Sequence, residues 1–161
     1  MQDYVIRPIE PGDNKAIAAI VRDTLVEFGA NHPGTVFFDP TTDHLYELFR
    51  KDKSAYWVVE DPLGIAGGGG IFPTKGLPAD TCELVKLYLL PRSRGRGIGK
   101  KLLETCHNEA LKYGFRKIYL ETMPELTIAV PLYEKMGYQY LEGPMGESGH
   151  FGCAIHMIKS L

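Results

Sequence analysis

The chain has 161 residues, 44% apolar and 24% charged, and carries a formal charge of -2. That is the length and mixture of one globular domain, residues 1–161, which excludes disorder, collagen and coiled coil. The near-neutral charge offers no net basic footprint for nucleic acid, and the one compositional excess is 18 glycines where about 7% is usual.

Tyr4 to Ile9 reads as a strand, broken by Pro11-Gly12-Asp13, with Asp13 placed to cap a helix. Ile17, Ile20, Val21, Leu25 and Phe28 keep helical spacing up to a stop at Gly29. Residues 30–42 read as a loop, and Asp43 to Arg50 as a second, shorter helix. Ser54 to Glu60 is rich in strand formers, and Ile65 to Phe72 returns after an Asp61-Pro62-Leu63-Gly64 turn. Gly67 to Gly70 inside that return suggest a bulge or a closely approaching neighbour. Thr81 to Leu90 is the most strand-like run, ended by Pro91.

From Ile98 the period becomes helical through Leu102, Leu103, Cys106 and Ala110, with Gly114 as the cap. Lys117 to Glu121 is a short buried strand. Ala129, Val130, Tyr133 and Met136 repeat helically up to Gly137, with Pro131 inside the pattern, where it removes an internal hydrogen bond. Tyr138 to Leu141 and Cys153 to Lys159 are the last strands. The order β-α-α-β-β-β-α-β-α-β-β describes an α/β (α+β) domain with a mixed sheet and one βαβ unit over residues 81–121.

The three cysteines are odd in number and lack CxxC spacing, which argues against a disulfide framework or a structural zinc site. His44, His107 and His156 show no ligand grouping, so no metal is expected. The first residues lack a secretory pattern, and no run of about 18 apolar residues occurs. A cytoplasmic protein with no membrane span is expected.

The chemistry concentrates between Leu90 and the helix at Ile98. Five of the ten residues from Arg92 to Lys101 are basic, and three are alternate glycines. Bare backbone amides at a helix N-terminus form an anion site suited to phosphate or pyrophosphate, to which Arg and Lys add charge-assisted bonds. A phosphate-binding P-loop needs GxxxxGK followed by Ser or Thr; here Arg94 replaces the first glycine and Lys101 the hydroxyl residue. Gly95, Gly97 and Gly99 also miss the GxGxxG dinucleotide spacing.

Arg94-Gly95-Arg96-Gly97-Ile98-Gly99 resembles the Q/R-x-x-G-x-G/A acetyl-CoA signature of the GNAT N-acyltransferase superfamily. Glu83-Leu84-Val85-Lys86-Leu87-Tyr88-Leu89 resembles that family's central strand. Leu132-Tyr133-Glu134-Lys135-Met136-Gly137-Tyr138 resembles its C-terminal LYEKxGF segment. The element order agrees from about residue 4 to 159, so the resemblance spans nearly the whole chain.

The resemblance implies two parallel strands splayed around acetyl-CoA, a co-substrate rather than a metal-dependent cofactor. Pantetheine would pair with the backbone of Leu87, Tyr88 and Leu89, whose amide would face the thioester oxygen. The pyrophosphate would sit on Arg94, Gly95, Arg96, Gly97, Ile98, Gly99 and Lys100. Glu83 matches the strand glutamate that is the general base in some members; others use ordered water. Strand alternation places Glu83 with Val85, Leu87 and Leu89, and apolar neighbours would raise its pKa. Tyr133 matches the tyrosine that protonates the departing thiolate. Leu126 stands where the family often carries a cofactor-touching asparagine.

Phe37, Phe38, Glu121 and His150 are candidate contacts to the acceptor. The implied reaction is acetyl transfer to a primary amine, small-molecule or peptide, by direct attack on the thioester; a homodimer is compatible with the family. The rival readings are a non-catalytic CoA-binding regulatory module, an enzyme with another acyl-CoA donor, and a generic phosphate binder.

Overall fold

The computed structural model describes residues 3–161. Its elements keep the expected order: β1 (Val5–Pro8), α1 (Asn14–Glu27), α2 (Leu45–Leu48), β2 (Ala55–Asp61), β3 (Gly64–Phe72), β4 (Thr81–Leu89), α3 (Ile98–Lys112), β5 (Lys117–Thr122), α4 (Ala129–Lys135), β6 (Gln139–Leu141) and β7 (Ile155–Ser160). The strands form one sheet in the order β1-β2-β3-β4-β5-β7-β6. All neighbours are antiparallel except β4 and β5, which α3 joins as a parallel crossover.

Period-two alternation sorts the sheet's side chains between two cores. Trp57 and Val59 face α3, where Ile98, Leu102, Leu103, Cys106 and Ala110 make the buried stripe. Tyr56 and Val58 face α1, with Ile17, Val21 and Leu25. Among the described residues, no helix is long and apolar enough to cross a membrane, and no group of three His, Cys, Asp or Glu side chains could hold a metal ion.

Three local expectations are corrected. The helix expected over Asp43 to Arg50 shrinks to the single turn of α2, preceded by 3-10 turns at Val36–Phe38 and Pro40–His44; so short a segment gains little from helical bonds alone. Asp13 does not cap α1 through its side chain. Its carboxylate accepts instead from Arg7 and from the Glu10 amide at 2.8 Å.

The third correction concerns β4. Gly70 pairs with Val85 and Gly68 with Tyr88, so Lys86 and Leu87 together oppose Gly69. This is a β-bulge, and Lys86 takes a φ of +53° in it. The Tyr56 hydroxyl holds the bulge by donating to the Lys86 carbonyl at 2.7 Å. Beyond it the alternation is reversed. Glu83 shares the α1 face with Val85 and Tyr88, whereas Leu84, Leu87 and Leu89 face α3. The β3 glycines belong to the same arrangement: a Cβ on Gly68 would lie 2.6 Å from the Tyr56 ring, and one on Gly69 2.5 Å from Leu87. Both a bulge and a close neighbour are therefore present.

Candidate active site

β4 and β5 pair only from Thr81–Lys117 to Glu83–Tyr119. Past that point they separate, and a cleft of about 550 Å³ opens between residues 83–88 and 120–123. Leu90 donates its amide to the Ala66 carbonyl on the β3 side, so alternation turns the preceding Leu89 N–H toward the open edge.

The cleft shares walls with two other cavities. An apolar channel of about 500 Å³, lined by Leu87, Leu89, Ala129 and Leu132, leads to Arg94 and Gly99 at the glycine turn. A polar hollow of about 780 Å³, lined by Asp39, Thr74, Glu83, Lys86 and His150, opens on the other side. Two hydroxyls, Thr24 in the channel and Thr122 in the cleft, are buried without a hydrogen-bond partner among the described residues.

At the glycine turn Gly95 and Gly97 have φ of +72° and +77°, the left-handed region that favours glycine. The first bond of α3 runs from Lys101 N–H to the Gly97 carbonyl, leaving the amides of Ile98, Gly99 and Lys100 without an intrahelical acceptor. The arginines are otherwise occupied. Arg94 grips Glu27 at 2.7 and 2.8 Å and the Leu89 carbonyl at 3.0 Å. Arg92 holds Asp61 at 2.7 Å, and Arg96 pairs with Asp3. The arginines thus brace the turn against carboxylates, while Lys100 and Lys101 are exposed beside its backbone amides.

Glu83 is 3% exposed. Burial pushes its pKa up to about 7; the hydrogen bond from Thr74 at 2.6 Å acts against this, and nearby Glu121 adds to it. Tyr133 on α4 lines the same cleft. Its hydroxyl makes no hydrogen bond among the described residues, and burial raises its pKa well above 10, so it stays a proton donor at neutral pH. Pro131 sits in the first turn of the seven-residue α4, where its missing N–H costs no internal bond. Tyr133 is the buried residue of this helix. Leu126 is buried against the α1-face core and offers no polar contact.

Glu121 and His150 join Glu83 in the cleft. His150 Nε2 lies 3.2 Å from Asp39 Oδ2 and its Nδ1 4.0 Å from Glu121 Oε1. Glu121 also accepts from Tyr119 at 2.7 Å and from Ser148. The hydrogen bond from His150 first of all holds the Asp39 pKa well below the usual carboxylate range. Phe37 and Phe38 stand apart from the cleft: Phe37 packs on the α1-face core, and Phe38 is 60% exposed beside Phe151.

Sequence reading did not count Asp39, Thr74 or Lys86 among the site residues. Plain alternation points Lys86 away from Glu83, and only the bulge returns it to the hollow. Asp39 had a faint signal as the polar residue directly after Phe37-Phe38.

The model of the Acetyltransferase (GNAT) family matches residues 18–138. The uncharacterized N-acetyltransferase YjgM of Escherichia coli strain K12 is 39% identical, over 99% of this chain and 96% of its own. A GNAT-family acetyltransferase of Staphylococcus aureus Mu50 superposes with a TM-score of 0.87 at 16% identity, covering 98% and 99% of the two chains. The PaiA N-acetyltransferase of Thermoplasma acidophilum, solved with coenzyme A, gives 0.77 at 18% identity over 99% of this chain and 100% of that one.

Proposed function

The chain belongs to the GNAT acetyltransferase family, and from that premise we propose that it moves an acetyl group from acetyl-CoA to a primary amine by direct attack on the thioester. The observation that carries this reading is the parting of β4 and β5 after Glu83–Tyr119, with Glu83 and Tyr133 lining the gap and the glycine turn at the end of the adjoining channel.

The residues present fit coenzyme A. The free amides of Ile98, Gly99 and Lys100 suit its pyrophosphate, and the open edge of β4 suits its pantetheine amides. Leu87, Leu89, Ala129 and Leu132 give that arm an apolar wall. The Thr24 and Thr122 hydroxyls, without a partner among the described residues, offer further bonds along the same path. Acetyl-CoA supplies an acyl group activated as a thioester.

This chain's own groups handle the protons and the charge. Glu83, with a pKa near 7, takes a proton from the acceptor's ammonium and leaves the neutral amine that the reaction needs. The Leu89 N–H faces the edge where negative charge develops on the carbonyl oxygen. Tyr133 gives a proton to the leaving sulfur and is not itself ionised beforehand. Release of free thiol from acetyl-CoA over a panel of amines tests the reading. No release with any amine, together with no CoA binding by calorimetry, would overturn it.

A further inference from the structure

Lys86 is a buried cation for which acyl transfer has no evident use. Its side chain is 4% exposed and forms an ion pair with Asp39, whose Oδ2 is 3.6 Å away, beyond ordinary hydrogen-bond reach. An ammonium carries three donors, and no hydrogen bond satisfies any of them among the described residues. Its φ of +53° is a conformation that L-residues seldom adopt, so the bulge delivers this side chain to the hollow at a conformational cost.

The neighbouring carboxylates are better supplied. Asp39 accepts from the Thr41 amide at 2.9 Å, the Thr41 hydroxyl at 2.7 Å and His150 at 3.2 Å. Glu121 accepts from Tyr119 and Ser148. Glu83 has Thr74 on Oε1 and nothing on Oε2 among the described residues. Among the buried side chains that line the hollow, donors are left over on Lys86 and an acceptor on Glu83. Both line the same space.

Building on the acetyltransferase reading, we propose that the acceptor is a free amino acid, its amine directed to Glu83 and its carboxylate to Lys86. A carboxylate fills two of the lysine's donors with charge-assisted bonds, which a neutral carbonyl does less well. A diamine would set a second ammonium against Lys86, a like-charge contact in a poorly solvated site.

The test compares three acceptor sets with the intact protein and acetyl-CoA: free amino acids, their carboxamides, and the matching amines without the carboxyl. The expected result is a kcat/KM at least about tenfold higher for one or more acids than for their amides and amines. Calorimetry with CoA present should show the preferred acid binding, and binding should weaken by a similar factor in Lys86→Gln and Lys86→Met. Equal or better turnover of amides or amines overturns the inference while leaving acetyl transfer standing. So does CoA binding without turnover of any amino acid. Failure to bind CoA at all removes the acetyltransferase reading itself. The wild-type comparison decides the matter even if the Lys86 variants fold poorly.

Discussion

The Thr74 hydroxyl donates to Oε1 of Glu83 across 2.6 Å, in a site that leaves the glutamate 3% exposed. Burial raises the carboxyl's pKa to about 7, and the Thr74 bond restrains that rise. A base must be ionised, so kcat/KM is expected to climb with pH through about 7 and level off above it. Thr74→Val removes a bond to the ionised form and should shift the climb to higher pH. Glu83→Gln should abolish the limb and cost on the order of 100-fold in kcat. An unchanged profile in Thr74→Val would count against the assignment.

The same group links folding to pH. Its folded pKa of about 7 lies above the ordinary 4.5, so the folded state holds the proton more tightly. The stability this gives is complete at acid pH and disappears as pH rises through about 7. Relative to the parent, Glu83→Gln should therefore gain on the order of 3 kcal/mol between about pH 4 and pH 8. Urea unfolding of both proteins at the two pH values measures it.

Tyr133→Phe removes a proton donor and little packing, because the ring still meets Tyr138 edge-on at 5.7 Å. We expect kcat to fall about 10- to 100-fold with CoA affinity and Tm nearly unchanged. Activity equal to the parent would favour a non-catalytic CoA-binding role.

Gly97 precedes α3 with φ of +77°, and a Cβ added there would meet no heavy atom within 4 Å. Gly97→Ala therefore meets no clash, only the left-handed backbone. It should cost about 1–2 kcal/mol of stability and weaken CoA binding through displaced amides. Denaturant unfolding and calorimetry separate the two effects.

In β3, a methyl on Gly70 would strike the Ala55 carbonyl and the Tyr56 ring, whereas one on Gly69 meets first the flexible end of Leu87. Gly70→Ala should destabilise by about 1–3 kcal/mol or more, and Gly69→Ala by less. Comparable losses in both would show that backbone approach is not what selects glycine here.

The element order was legible because most elements carry their own period and punctuation: Ile17 to Leu25, Ile98 to Ala110, and the stops at Gly29, Gly114 and Gly137. Motif resemblance singled out Glu83 and Tyr133, which the structure brings to one cleft. The β3 glycines signalled a bulge or a close neighbour, but not that the extra residue falls in β4, because that arises from a mismatch between β3 and β4 that neither strand displays alone. The bulge's location decides which side of the sheet Lys86 and Leu87 occupy. Asp39, Thr74 and His150 come from three separate loops, and their meeting is a property of tertiary structure. Composition showed the charge of the glycine turn's arginines and hid their partners; Glu27 and Asp61 lie far away in sequence.

The short β4–β5 ladder also makes a seam. On one side lie β1 to β4, on the other β5, β7 and β6, and the sheet's backbone bonding between them ends at Glu83–Tyr119. A ligand that bonds to the free edge of β4 while resting on α4 would act as a splint across that seam. Its effect should spread beyond the atoms it touches, slowing amide exchange in β5 and β7 as well as in β4.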